Sequence, residues 1–518
     1  MDAFVMLFQE LWALLHWKLL LVTFLSTCAG IIIGALPGLT ATMGVALLTG
    51  LTYNMDSSMA IPVLLGIYVG AVYGGSITAV LINIPGTPSS AATALDGHPL
   101  ARRGEALKAL NLTRYASFIG TLIGVLCLFS FAGPISRIAE RHVASPEYFL
   151  LAVFGVLICG TLTATDRPVK GWIAGMLGLM VSFVGIEEIH GWQRFTFGSM
   201  ELMSGLAFIP AMIGIFGIPQ ILETLKDPDA KFVVTDLSKS KQDDWSFIDY
   251  LKMVKKYFRT IIRSGLIGVG IGSIPGVGED IAAWMSYDRA KKGSKEKELF
   301  GKGSYEGVIA SETGNNACIG GAIIPLITLA VPGSPPAAVL LGALYLHNIR
   351  PGPMIHLEFP TLPYHMTAVI IIASFALLIG GLILTSIMVH VLKINPKILM
   401  PIVSVLSVIG AFAIGSRHFD LYVMLVFGFL GFGLTAMGFP PAPLILGMIL
   451  GPLADGNFRR SMLASDGSLL PFVTRPISIL FLLMIVLTLA SQFGVFDKIF
   501  GKKKEEPPVA AEQPPPGD

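Results

Sequence analysis

GIIIGALPG at residues 30–38 returns as GVGIGSIPG at residues 268–276, and INIPGTPSS at residues 82–90 returns as LAVPGSPPA at residues 329–337. Gly74-Gly75 precedes the second motif in the first half and Gly320-Gly321 precedes it in the second, so both order and approximate spacing are kept. Chance matching in glycine-rich apolar sequence explains single echoes but not a shared order, and two homologous halves is the natural reading. Proline removes a backbone donor and biases its predecessor away from helix, while glycine lets the chain turn. The motifs therefore predict helix breaks at repeat-related positions.

The sequence around these breaks has the composition of a bilayer protein. Of 518 residues 53% are hydrophobic and 14% charged, against roughly 25% charged in soluble domains. Mean hydropathy is +0.72. Uncharged stretches at 118–134, 148–165, 367–389 and 477–493 approach the ~20 residues of a spanning helix. A net charge of +2 is too small to suggest nucleic acid as a partner. Cys28, Cys127, Cys159 and Cys318 lie in apolar runs with no nearby second Cys or His, which makes them packing residues rather than a metal set. Leu25-Ser26-Thr27-Cys28 is a poor lipoprotein box, and neither processing there nor a removed signal peptide is expected.

Short cytoplasmic loops collect Lys and Arg, and the two halves give opposite answers. After the first motif, residues 51–60 carry no Lys or Arg, whereas the matching loop of the second half holds Arg289, Lys291, Lys292, Lys295, Lys297 and Lys302. After the second motif the bias reverses: Arg102, Arg103, Lys108 and Arg114 follow the first copy, and only Arg350 lies within residues 345–362. An inverted-topology repeat predicts this alternation. Residues 19–51 and 261–287 read as re-entrant hairpins turning at their Pro-Gly, with arms short for full spans. The fold class expected is an all-α polytopic membrane protein, an inverted-topology repeat with re-entrant hairpins and discontinuous helices, about 11 spans plus two hairpins. The N-terminus would lie outside, with the linker and Lys502-Lys503-Lys504 in the cytoplasm; Arg137, Arg141, Arg459 and Arg460 run against this bias.

The expected division is a first membrane repeat (1–223), a polar linker with an interfacial helix (224–260), a second repeat (261–498) and a disordered cytoplasmic tail (499–518). In the linker, Phe247, Ile248, Leu251, Val254 and Phe258 recur at helical spacing opposite Lys252, Lys255, Lys256 and Arg259. The tail is rich in Pro, Glu and Ala without apolar periodicity.

Non-helical backbone at membrane depth is tolerated only where protein or a watery cavity satisfies it, so the breaks point to a central site. Thr87, Ser89, Ser90 and Thr93 follow Pro85-Gly86, and Ser334 follows Pro332-Gly333. Hydroxyls and free amides at a helix start hold an anion without a buried arginine. Glu279, Asp280 and Glu312 are ionisable groups in apolar surroundings, where charge is costly and tied to ion or substrate movement. Their oxygens suit Na+, and a carboxylate also suits proton exchange; capping of helix starts is the plainer role. Glu187-Glu188-Ile189-His190 lacks the second His of a zinc protease motif, and neither a P-loop nor a Gly-x-Ser-x-Gly elbow occurs. No enzyme and no cofactor is expected.

GALPGLTATMGVALL from Gly34, YGGSITAVLINIPGTPSSAATALDGHPLARRG from Tyr73, IPGVGEDIAAWMSYDRAKK from Ile274 and GVIASETGNNACIGGAIIPLITLAVPGSPPAAVLLGAL from Gly307 resemble the large membrane subunit of the tripartite tricarboxylate transporters, the TctA-type permeases. The resemblance runs from about Leu19 to Phe496; Ser311-Glu312-Thr313-Gly314 stands where the family more often has Pro-Glu-Ala-Ala. It implies a translocating subunit of a three-component, cation-coupled secondary importer of di- or tricarboxylates such as citrate, in a bacterial inner membrane. The implied partners are a small membrane subunit and a periplasmic substrate-binding protein. It also implies that the motifs build the substrate site, which makes Pro37, Gly38, Thr40, Asn83, Gly86, Thr87, Ser89, Ser90, Gly276, Gly278, Asn315, Asn316, Gly333 and Ser334 the substrate-binding candidates. Glu279, Asp280 and Glu312 are the cation-coupling candidates, with Na+ and H+ both open. A channel or a non-translocating scaffold subunit is the alternative.

Overall fold

A computed structural model describes residues 3–36, 39–163, 168–187, 189–226, 247–391 and 396–492. The turn residues Pro37 and Gly38, most of the polar linker and the whole expected tail lie outside the described residues. The first half runs α1 (Ala3–Leu14), α2 (Trp17–Ala35), α3 (Ala41–Thr52), α4 (Ser57–Ile82), α5 (Ala91–Leu100), α6 (Ala106–His142), α7 (Ser145–Thr163), α8 (Pro168–Ser182), α9 (Met200–Met203) and α10 (Phe208–Lys226). The second runs α11 (Phe247–Lys256), α12 (Phe258–Gly272), α13 (Gly278–Gly293), α14 (Tyr305–Leu329), α15 (Pro335–Leu346), α16 (Ile355–Glu358), α17 (Leu362–Val391), α18 (Pro396–Gly415), α19 (His418–Ala436), α20 (Pro441–Ala464), α21 (Leu470–Thr474) and α22 (Pro476–Gln492). Among the described residues the one β-pair is a short antiparallel ladder between α8 and α9, with Gly185 opposite Arg194 and Ile186 opposite Gln193.

The protein is an all-α polytopic membrane protein. Its hydrocarbon-facing surface exposes Ile379, Leu382, Val426, Phe429, Leu483 and Val486, side chains that water would not tolerate in such number. Among the described residues five helical stretches are long and apolar enough to cross a membrane, and several apolar helices are shorter. The hairpin arms differ from expectation in one respect. Helix starts at Trp17, so α2 has 19 residues and the length of a span, whereas α3 has 12, α12 has 15 and α13 has 16.

Helices α4 and α14 form the centre. Both are almost wholly buried, as helices surrounded by others are, and α14 buries Glu306, Glu312, Asn315 and Asn316 among its apolar and small residues. Each ends in the left-handed region at the corresponding residue, Asn83 and Ala330, both at φ 56°. The proline two residues on prevents continuation, and the left-handed residue turns the chain away. The hairpins pack onto these helices through glycine. A Cβ on Gly34 would stand 2.1 Å from the Ala71 carbonyl oxygen, and one on Gly272 would stand 2.5 Å from that of Cys318. Backbones this close require residues without a side chain.

A further correspondence joins the later helices. Pro210, Gly214 and Pro219 in α10 have the same spacing as Pro443, Gly447 and Pro452 in α20. Gly214 packs on the Met424 carbonyl of α19, while Gly447 packs on the Gly175 carbonyl of α8. Each half therefore packs this helix against the other half, which binds the two into one body. Helix α11 leaves Ile248 and Leu251 exposed beside its lysines, while Phe258 opens α12 after a break at Tyr257.

Candidate functional site

The two crossovers after α4 and α14 are built alike. Gly86 N donates to Gly75 O at 3.3 Å, and Gly333 N donates to Ala322 O at 3.4 Å. Thr87 then caps the next helical turn in a reciprocal box with Ser90, and Ser334 Oγ accepts from Ala337 N. The tip of the second hairpin docks on the second crossover: Gly276 N donates to Pro332 O and Gly278 N to Gly333 O, both at 3.1 Å. Gly276 and Gly278 take φ of 71° and 77°, which only glycine adopts without strain. Their amides serve this docking.

Between the crossovers and the hairpin ends lies a cavity of about 680 Å³. Thr40 comes from the start of α3, Thr87 and Ser89 from the first crossover, Glu279 and Asp280 from the first turn of α13, and Pro335 from the second crossover. Residues within or just after all four motifs thus meet at one place. Thr40 Oγ1 accepts from Met43 N at 3.2 Å as the cap of α3. Tyr68 of α4 reaches across the halves, donating its hydroxyl proton to Glu279 Oε1 and sharing a 2.7 Å hydrogen bond with Ser334 Oγ. Glu279 is buried and Asp280 exposed, so the pair presents one held and one open carboxyl. Gln220 and Glu223 of α10 and Phe432 of α19 complete the wall. Three acidic residues and no Lys or Arg line it among the described residues.

Glu312 stands apart, fully buried between α5, α6 and α14. Thr93 Oγ1 donates to its Oε1 at 2.5 Å and Ser117 Oγ to its Oε2 at 2.8 Å. Asn316 Nδ2 donates to Ser117 Oγ at 2.9 Å and to the Glu312 carbonyl at 3.0 Å. Both side-chain atoms of Asn315, with Asn316 Oδ1 and Thr313 Oγ1, are buried without a hydrogen-bond partner. Unsatisfied oxygens around an enclosed carboxylate are expensive unless something else fills their demand.

The candidates therefore divide. Thr40, Thr87, Ser89, Glu279 and Asp280 line the cavity, while Ser334 lies outside its lining and shares the Tyr68 hydroxyl that holds Glu279. Ser90 is turned inward onto the Thr87 carbonyl at 2.7 Å, and Asn83 is exposed at the end of α4. Gly86 and Gly333 hold backbone against backbone: an added Cβ would meet Gly34 O at 2.1 Å and Gly272 O at 1.8 Å. Asn316 belongs to the buried Glu312 cluster, and Asn315 is buried beside it on α14 without a hydrogen-bond partner. Sequence reasoning did not single out Tyr68, Gln220 or Glu223. The Pro-Gly-Pro spacing shared by α10 and α20 was the signal for the last two, since Pro219 brings that face of α10 to the cavity.

The profile of the tripartite tricarboxylate transporter TctA family matches residues 20–446. An uncharacterized 52.8 kDa protein in the TAR-I ttuC' 3'region of Agrobacterium vitis is 38% identical over 459 residues, 88% of this chain and 89% of that protein. An uncharacterized protein in the TAR-II ttuC' 3'region of the same organism is 38% identical over 208 residues, 40% of this chain and 86% of that protein. No solved structure matches. With the family profile covering both hairpins, both crossovers and the cavity between them, the chain belongs to the tripartite tricarboxylate transporter TctA family.

Proposed function

We propose that this protein is the translocating subunit of a three-component, cation-coupled secondary importer of di- or tricarboxylates, working in a bacterial inner membrane with a small membrane subunit and a periplasmic substrate-binding protein. The observation that carries the reading is the cavity in which the motifs of both halves converge, lined by hydroxyls and acidic side chains. A polycarboxylate entering a space lined by Glu223, Glu279 and Asp280 meets like charge. Cations, whether Na+ or protons, must enter with it or the encounter is repulsive. Coupling then follows from electrostatics: substrate binds well only when the acidic wall is neutralised.

In this reading Thr40, Thr87 and Ser89 offer hydroxyls to the substrate, Glu279 and Asp280 take the cation nearest to it, and Glu312 with Asn315 and Asn316 forms a second, enclosed cation site. The inverted arrangement of the halves, proposed from the Lys and Arg distribution, supplies the alternation of access. The test is uptake into vesicles reconstituted with all three components, using a panel of labelled carboxylates with and without Na+ and pH gradients. Saturable uptake that follows an ion gradient is expected; gradient-independent conductance through this subunit alone would sink the proposal.

A further inference from the structure

The base of the second hairpin carries a feature that transport does not require. Along the outer face of α12 runs a groove of about 520 Å³ formed by Phe258, Arg259, Ile262, Arg263, Leu266 and Ile267. Phe258, Ile262 and Leu266 are 57%, 38% and 56% exposed, so the groove is open to whatever surrounds the protein. Arg259 and Arg263 line it as well, and Lys255 precedes them at the end of α11, across the break at Tyr257. The neighbouring lysines are engaged: Lys252 pairs with Asp249 at 2.9 Å and Lys256 with Glu296 at 3.4 Å. Among the described residues no carboxylate pairs with Lys255, Arg259 or Arg263. Arg263 Nε is moreover buried without a hydrogen-bond partner.

Comparison between the halves shows that the hairpin itself does not need these charges. With GIIIGALPG set on GVGIGSIPG, Arg259 falls on Leu21 and Arg263 on Leu25, while Phe258 and Ile262 fall on Leu20 and Phe24. The apolar face is common to both hairpins and the two arginines belong to the second alone. Cation and groove thus coincide where a helix begins, and the positive end of the α12 dipole adds to the same field.

We propose that this groove binds an anionic phospholipid, its phosphodiester held by Arg259 and Arg263 and its acyl chain lying along Phe258, Ile262 and Leu266. Charge complementarity selects the headgroup, since the guanidinium fork matches a phosphate and basic residues at a membrane surface attract anionic lipid. The apolar groove selects a lipid over a free phosphate, which has nothing to place there. The bound lipid braces the base of the hairpin whose tip carries Glu279 and Asp280.

The purified full-length protein, in mild detergent, is titrated with phosphatidylglycerol, phosphatidylcholine and inorganic phosphate while lipid adducts are read by native mass spectrometry and melting by intrinsic fluorescence. Retained phosphatidylglycerol adducts and a raised Tm are expected, with neither phosphatidylcholine nor phosphate reproducing them. Replacing both arginines by their counterparts, Arg259→Leu with Arg263→Leu, should weaken phosphatidylglycerol retention by about tenfold or more, with the Tm in phosphatidylcholine unchanged. Equal retention of the two lipids by the parent, an equal effect of phosphate, or undiminished retention by the double variant would each overturn the proposal. Should the double variant fail to accumulate, Arg259→Gln alone and the parent's lipid preference decide it.

Discussion

The hydroxyl of Tyr68, in the middle of α4, donates to the carboxyl of Glu279 at the start of α13, and so joins the centre of one half to the hairpin tip of the other. The bond brings an acidic group of the cavity under the control of a buried phenol. Ser334 shares the same hydroxyl, so the second crossover is tied in as well.

Tyr68→Phe removes the donor and leaves Glu279 Oε1 short of a partner. A buried acceptor left unpaired costs about 1–3 kcal/mol. The expected outcome is a lower melting temperature together with a higher cation concentration for half-maximal uptake. Unchanged melting and unchanged cation dependence would show that the bond contributes nothing to the site.

Glu312→Gln keeps the shape of the side chain and one oxygen but removes its charge and its titratable proton. Its amide nitrogen also takes the place of one of the two oxygens that now accept from Thr93 and Ser117. A coupling role predicts lost or uncoupled uptake with normal membrane insertion. The measurement is the dependence of uptake on Na+ and on pH; if both match the parent, coupling rests on Glu279 and Asp280.

Glycine substitutions should separate packing from open surface. Gly333→Ala places a Cβ 1.8 Å from the Gly272 carbonyl oxygen, and forced overpacking costs about 1–3 kcal/mol or more. The expected result is a destabilised protein, seen as a lowered Tm, beyond any loss of uptake. Gly270→Ala meets nothing within 4 Å and should be neutral or stabilising by up to about 1 kcal/mol, because alanine favours helix. Equal melting of the two variants would contradict the close crossing of backbones.

Sidedness is tested by cysteines placed at Ser58, Arg103 and Lys295. Arg103 donates to the Lys302 carbonyl, so positions 103 and 295 should label from one face and position 58 from the other. Labelling of Ser58 and Lys295 from the same side would rule out the inverted repeat.

Much of this architecture was legible in the chain itself. Composition required a bilayer, and the repeated Pro-Gly motifs marked where helices stop, because a proline followed by glycine pairs a lost backbone donor with a residue free to turn, whereas lone prolines such as Pro219 and Pro452 stay within helices. Asn83 and Ala330 turn at the residues that Pro85 and Pro332 dictate. The reading of Thr87 and Ser334 as starts of new helical segments came from the same local rule, and both are caps. Tertiary structure decided which motif residues meet open space. Gly86 and Gly333 stood among the substrate-binding candidates, yet other backbone occupies the space beside them, and only the packing of α2 on α4 and α12 on α14 reveals it. Asn315 and Asn316 stood among the substrate-binding candidates, but both are buried on α14 away from the residues that line the cavity, Asn316 against Ser117 of α6. Tyr68 carried no local signal, because a tyrosine within an apolar run becomes a site residue only when Glu279, 211 positions later, is folded against it. Chain-local chemistry fixes breaks and caps; which side chains share a cavity depends on how the two halves pack.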